Sequence, residues 1–103
     1  MTMEKGGAMQ AAGQITRKTL AENAKVAVID SVSKPGEILP MQSRPMHVVH
    51  VISGGTLERT YADGKKEVIA ERAGDTKIID ISQPYAVKNI GKTTIHTIQV
   101  TVK

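Results

Sequence analysis

GEILPMQSRPMHVVHVISG, residues 36–54, decides the fold. Its first glycine completes the turn Lys34-Pro35-Gly36-Glu37, where proline presets one central position and glycine accepts the positive φ of the next. His47–Ile52, HVVHVI, then reads as a strand with apolar side chains in both phases. Gly54-Gly55 ends it. The segment is therefore a turn, an irregular polar stretch broken by Pro40 and Pro45, and a strand buried on at least one face.

Outward from it, every signal is β. Lys25–Val32 alternates as a strand. Thr56–Tyr61 and Glu67–Glu71 flank Ala62-Asp63-Gly64-Lys65, and Asp-Gly supplies the left-handed dihedrals of a tight hairpin. Gly74-Asp75 is a further turn, and Thr76–Ile81, Tyr85–Asn89 and Thr94–Val102 close the series. Nothing after residue 24 reads as an amphipathic helix. Short strands punctuated by Gly and Pro predict an all-β sandwich or small barrel. The first stretch, MTMEKGGAMQAAGQ, has no sustained pattern, so residues 1–18 are expected to form a flexible tail and residues 19–103 one domain.

Composition agrees. The 103 residues make one small domain, and with no Phe or Trp its core must be built from Val, Ile and Leu, which suit a pleated sheet. The net charge of +4 raises nucleic-acid binding, but the basic residues are scattered and aromatic residues are only 2% of the chain. No nucleic-acid partner is expected, because base stacking needs those rings. The absence of cysteine excludes disulfides and thiolate metal sites. No stretch has signal-peptide or bilayer-spanning length, so no membrane partner and a cytoplasmic location are expected.

Two spacings carry a family resemblance. From Gly36 the chain runs five residues to Gln42, one to Arg44, two to His47 and six to Gly54. From Gly74 it runs five residues to Asp80, then Ser82, Tyr85 and Asn89. This resembles the two signature motifs of the cupins, G-x5-H-x-H-x(3,4)-E-x6-G and G-x5-P-x-G-x2-H-x3-N. The resemblance covers roughly residues 19–103 and implies a cupin-type jelly roll, a double-stranded β-helix of two antiparallel sheets. In cupins with intact motifs, three histidines and a glutamate bind a transition metal inside the barrel. Here Gln42, Arg44 and Tyr85 stand at the histidine positions and His47 at the glutamate. Arg44 is a permanent cation and Tyr85 ligates only as a phenolate, so no metal and no other cofactor is expected.

Each candidate has a plain reading beside the functional one. His47 shares a strand phase with Val49 and Val51 and is either a hydrogen-bonded core residue or a pocket residue. His50 points to the opposite face and reads as a surface or interface residue. His96 shares a phase with Ile98, Val100 and Val102, and is a candidate second imidazole whose face is open. Tyr85 is a wall-filling ring or an inward hydroxyl donor, and Arg44 a surface cation or an anchor for carboxylate or phosphate. If Gln42, Arg44, His47 and Tyr85 converge, the pocket suits a small polar or anionic molecule. The expected protein is a metal-free, cupin-like small-molecule binder that dimerises through a sheet face. The alternatives are a divergent cupin enzyme of isomerase or oxygenase type, and an interaction module with a filled interior.

Overall fold

The computed structural model describes residues 13–103. Its elements are β1 (Thr16–Glu22), β2 (Val26–Ser33), β3 (Ile38–Gln42), β4 (His47–Ser53), β5 (Gly55–Tyr61), β6 (Lys66–Glu71), β7 (Thr76–Ile79), β8 (Tyr85–Asn89) and β9 (Ile95–Val102). They form a five-stranded sheet in the order β1-β2-β9-β4-β7 and a four-stranded sheet in the order β3-β8-β5-β6. All pairings of named strands are antiparallel. This is the all-β, two-sheet jelly roll that the family resemblance implies. Among the described residues, no helix is long and apolar enough to cross a membrane.

The turns do what their residues require. Gly36, Gly64 and Gly74 have φ of 84°, 93° and 93°. The amide of Glu37 donates to the Lys34 carbonyl across the Pro-Gly turn, at 3.0 Å. In the Asp63-Gly64 hairpin, the amide of Tyr61 donates to the Lys65 carbonyl at 2.8 Å. Gly54 is needed for a different reason: a Cβ there would lie 2.1 Å from the Glu71 carbonyl oxygen, where no side chain fits.

Two strands leave no readable signal in the sequence. β1, TRKTLAE, is exposed along its whole length and so has no alternation to detect. Its first residues also correct the expected tail. Thr16, Arg17 and Lys18 pair with Val32, Ser31 and Asp30, so strand structure begins before residue 19. Ile15 just ahead of it is buried, and its amide donates to the Ile38 carbonyl. The tail's first 12 residues lie outside the described ones. β3 is hidden by Pro40, which cannot donate to a ladder and is confined to edges and bulges. β3 is an edge strand, and its pairing with β8 slips between Leu39 and Gln42.

The two sheets enclose a thin core. Ile15, Ala27, Val49, Val51, Tyr85 and Ile95 are its buried apolar residues. Asn89 and Val51 are the largest side chains that are fully buried. The two motifs meet here, since Gly36 donates its amide to the Asn89 carbonyl and Asn89 donates its own to the Glu37 carbonyl.

Candidate functional site

The side chains between the sheets leave a cavity of about 190 Å³, open to solvent on one side. Gln42, Arg44, His47 and Tyr85 all line it. Their convergence depends on the slip in β3. Leu39 also faces the cavity, and residues three apart on a regular strand face opposite ways. The extra residue at Pro40-Met41 restores the inward phase, so that Gln42 sits opposite Tyr85 in register. A proline that conceals the strand from sequence reading is therefore what aims the site.

His47 is buried on β4 beside Val49. Its Nδ1 lies 2.9 Å from the Pro45 carbonyl oxygen, which can only accept, so Nδ1 carries the proton. Burial pushes the imidazole pKa down, the Pro45 contact opposes this, and Arg17, Arg44 and Arg59 push it down further. The ring is neutral at pH 7, with Nε2 unprotonated. Tyr85 is 3% exposed, and burial raises its phenol pKa against the pull of Arg44, Arg59 and Arg17. It stays a hydroxyl.

Arg44 reaches back over the site. Its Nη2 donates to the carbonyls of Pro40 at 2.5 Å and Tyr85 at 3.2 Å, and its Cζ lies 5.0 Å from the Tyr85 ring centroid. Arg59, from β5, places its own Cζ 5.2 Å from the same centroid. Its Nη1 donates to Glu67 Oε1 at 3.0 Å, and the Tyr61 hydroxyl donates to that same oxygen at 2.7 Å. The Tyr61 bond, with help from Arg59, holds the Glu67 carboxyl below its ordinary range. Tyr85 is thus a spacer between sheet and cations, held by cation–π contact.

The sequence alone does not single out Arg17 or Arg59. Arg17, on β1, lines the cavity, and its Nη1 donates to Gln99 Oε1 at 3.1 Å. Arg59 shares an inward phase with Leu57, and its register partner is Glu67, a cross-strand charge pair that the Asp-Gly hairpin makes readable. Arg17 leaves no such signal, since β1 is unpatterned. Lys77 and Glu71 also line the cavity but form an ion pair with each other.

His96 does not join the site. Ile95, Thr97, Gln99 and Thr101 of β9 line the cavity, so the alternating phase of His96 faces outward. Its Nε2 lies 2.6 Å from Asp30 Oδ1 on the outer face of the five-stranded sheet. The candidate second imidazole is corrected to an outward, partly buried side chain in contact with Asp30. His50 faces outward, as expected, with Nδ1 2.7 Å from Thr76 Oγ1.

No protein-family model matches this sequence, and no curated protein matches it. Solved structures do match. A cupin domain from Bordetella pertussis Tohama I aligns with a TM-score of 0.79 over 89% of this chain and 96% of its own, at 17% identity. An RmlC-like cupin family protein with a double-stranded β-helix fold, from Methanocaldococcus jannaschii, aligns with a TM-score of 0.68 over 99% of this chain and 92% of its own, at 16% identity. A protein with a double-stranded β-helix domain, from Klebsiella pneumoniae, aligns with a TM-score of 0.69 over 86% of this chain and 76% of its own, at 22% identity. This chain has the cupin fold. Likeness at that identity carries architecture alone, and one fold hosts many activities, so function has to come from the residues in the cavity.

Cupin motifs imply a metal at the four convergent positions, and these side chains do not fit one. Among the described residues, no group of three or more His, Cys, Asp or Glu side chains could hold a metal ion. His47 is the one good nitrogen donor of the four. Three guanidiniums, from Arg17, Arg44 and Arg59, line the same cavity and oppose a divalent cation. Among the described residues, the Nε atoms of Arg44 and Arg59 and the Ser33 hydroxyl are buried without a hydrogen-bond partner. Buried donors without partners are costly.

Proposed function

We propose that this cupin-fold chain binds a small anionic molecule between its sheets. The observation that carries the reading is the set of three guanidiniums on one cavity. Guanidiniums present fixed, planar donors suited to carboxylate and phosphate oxygens. Tyr85 and Gln42 add neutral hydrogen-bonding groups. The test compares thermal unfolding in sodium phosphate with that in sodium chloride of equal ionic strength. Phosphate is expected to raise the midpoint in a saturable way, since a ligand bound only to the folded state shifts unfolding by about 2.7 kcal/mol at 100 times its Kd. Arg44→Gln should abolish most of that gain. Equal midpoints in the two salts, for the parent chain, contradict the reading.

A second reading, proton transfer on the bound molecule, is favoured by His47. A neutral imidazole whose Nδ1 is tied to the Pro45 carbonyl offers Nε2 as a proton acceptor, and the protonated Tyr85 shares the cavity. This would be isomerase-type chemistry. An oxygenase-type reaction resting on the usual metal centre has no support in these donors.

We further propose that two copies pair through the outer face of the five-stranded sheet. Val28, Val48, Ile52, Ile78, Ile98 and Val100 lie on the phases that do not line the cavity. Ile78 is 67% exposed and Ile52 47%. An apolar surface of this kind is commonly covered by a symmetric partner. Sedimentation at tens of micromolar is expected to give twice the chain mass of 11.1 kDa, and Ile78→Lys with Ile52→Lys to give the monomer. A parent chain that sediments as a monomer excludes the pairing.

A further inference from the structure

Resting on the anion-pocket reading, we infer that the ligand is a dianion carried on a hydroxylated skeleton, a sugar-type phosphate monoester or a hydroxylated dicarboxylate. Charge balance supplies the first half. Of the cations lining the cavity, Lys77 is neutralised by Glu71, and Arg59 by Glu67 at the rim. Among the described residues, the remaining two, Arg17 and Arg44, have no carboxylate within ion-pair distance. A monoanion would pair with only one of these two guanidiniums. Two negative charges balance both.

The second half comes from β2 and β9, which present hydroxyls to the same cavity. Ser31, Ser33, Thr97 and Thr101 all line the cavity, and Ser31 stands opposite Thr97 in register. Ser31, Ser33 and Thr97 are each more than nine-tenths buried. Among the described residues the Ser33 hydroxyl has no partner, on a residue that is 4% exposed and lines the cavity. Gln99 joins these hydroxyls to the cations: it accepts from Arg17 and donates from Nε2 to Thr97 Oγ1 at 3.2 Å. Thr97 accepts there and keeps its own proton to donate. At Ser31, Ser33, Thr97 and Thr101 this strand pair carries hydroxyls where Val and Ile would have added core. A ligand with hydroxyls of its own can both donate to them and accept from them.

Calorimetry on the full chain at pH 8 tests both halves. A phosphate monoester has a second pKa of about 6 and is fully dianionic there. The probes are glucose 6-phosphate, its methyl phosphodiester, inorganic phosphate, tartrate and tartrate monoamide. The dianion of at least one pair is expected to bind at least tenfold more tightly than its monoanionic partner. Arg17→Gln and Arg44→Gln should each erase most of that preference. Preference in the phosphate pair alone assigns the ligand to phosphate monoesters, and in the tartrate pair alone to dicarboxylates. Glucose 6-phosphate should also bind more tightly than inorganic phosphate, and Ser33→Ala should narrow that gap. Equal binding of dianion and monoanion in both pairs overturns the inference and leaves the anion pocket standing. If the phosphate pair shows the preference and inorganic phosphate equals or exceeds the sugar phosphate, the hydroxylated skeleton is wrong. Binding of none of the five overturns both.

Discussion

Asn89→Ala is expected to cost about 3–4 kcal/mol of folding stability, from lost hydrogen bonds and the cavity together. Asn89 is 1% exposed. Its Nδ2 donates to the carbonyls of Ser33 at 2.8 Å and Thr93 at 2.9 Å, and its Oδ1 accepts from the Gly91 amide at 3.0 Å. The side chain therefore ties β8 to the end of β2 and to the loop before β9. Truncation leaves backbone groups at all three points without this partner, in a place water reaches poorly, and each such loss costs roughly 1–3 kcal/mol. The cavity left behind adds to it. Asn89→Asp should be no milder, because it replaces the donors with a buried charge. The check is the urea midpoint at unchanged m, against Lys88→Ala as an exposed control on the same strand, for which a change within about 0.5 kcal/mol is expected. A loss below about 1 kcal/mol for Asn89→Ala would show that the network is incidental.

The second large effect is a gain. Replacing Gln42, Arg44 and Tyr85 by His, and His47 by Glu, should produce a chain whose stability responds to divalent metal. All four positions line one cavity, and the pairing of Gln42 with Tyr85 places two of the new imidazoles on neighbouring strands. The replacement set is three imidazoles and a carboxylate, and it removes the nearest fixed cation. At free zinc or nickel 100-fold above Kd, the folded state should gain about 2.7 kcal/mol, read as the difference in unfolding midpoint with and without chelator. Lost core packing at Tyr85 lowers both arms equally and cancels in that difference. Adding Arg17→Gln should strengthen the response by removing a further repelling charge. A folded quadruple variant indifferent to metal means that the four positions share a cavity without converging on a point.

These two experiments probe different features of the motifs. The glycines and Asn89 specify backbone: Gly36 a positive φ, Gly54 a close approach to the Glu71 carbonyl, and Asn89 a junction. Those needs are local, and they are legible because only those residue types satisfy them. The motif positions in between specify chemistry, and that chemistry has changed while the scaffold has kept its spacing.

The grouping of Gln42, Arg44, His47 and Tyr85 is what the cupin resemblance implies, whereas seven of the nine strands and the three glycine turns can be read from the chain without coordinates. Such features depend on period-2 alternation and on dihedrals that few residues accept, both of which are written within a few positions of one another. What needed the tertiary structure was everything decided between strands far apart in sequence. The phase of His96 relative to His47 depends on how β9 pairs with β4, and that register sends it outward to Asp30. Arg17 enters the site because β1 lies beside β2 at the edge of the five-stranded sheet, 27 positions before Arg44. Arg59 enters because β5 pairs with β8 and brings its guanidinium to the Tyr85 ring. The cationic character of the cavity is thus a sum over three strands and a loop. No single stretch of sequence carries it, because charges add through space and not along the chain.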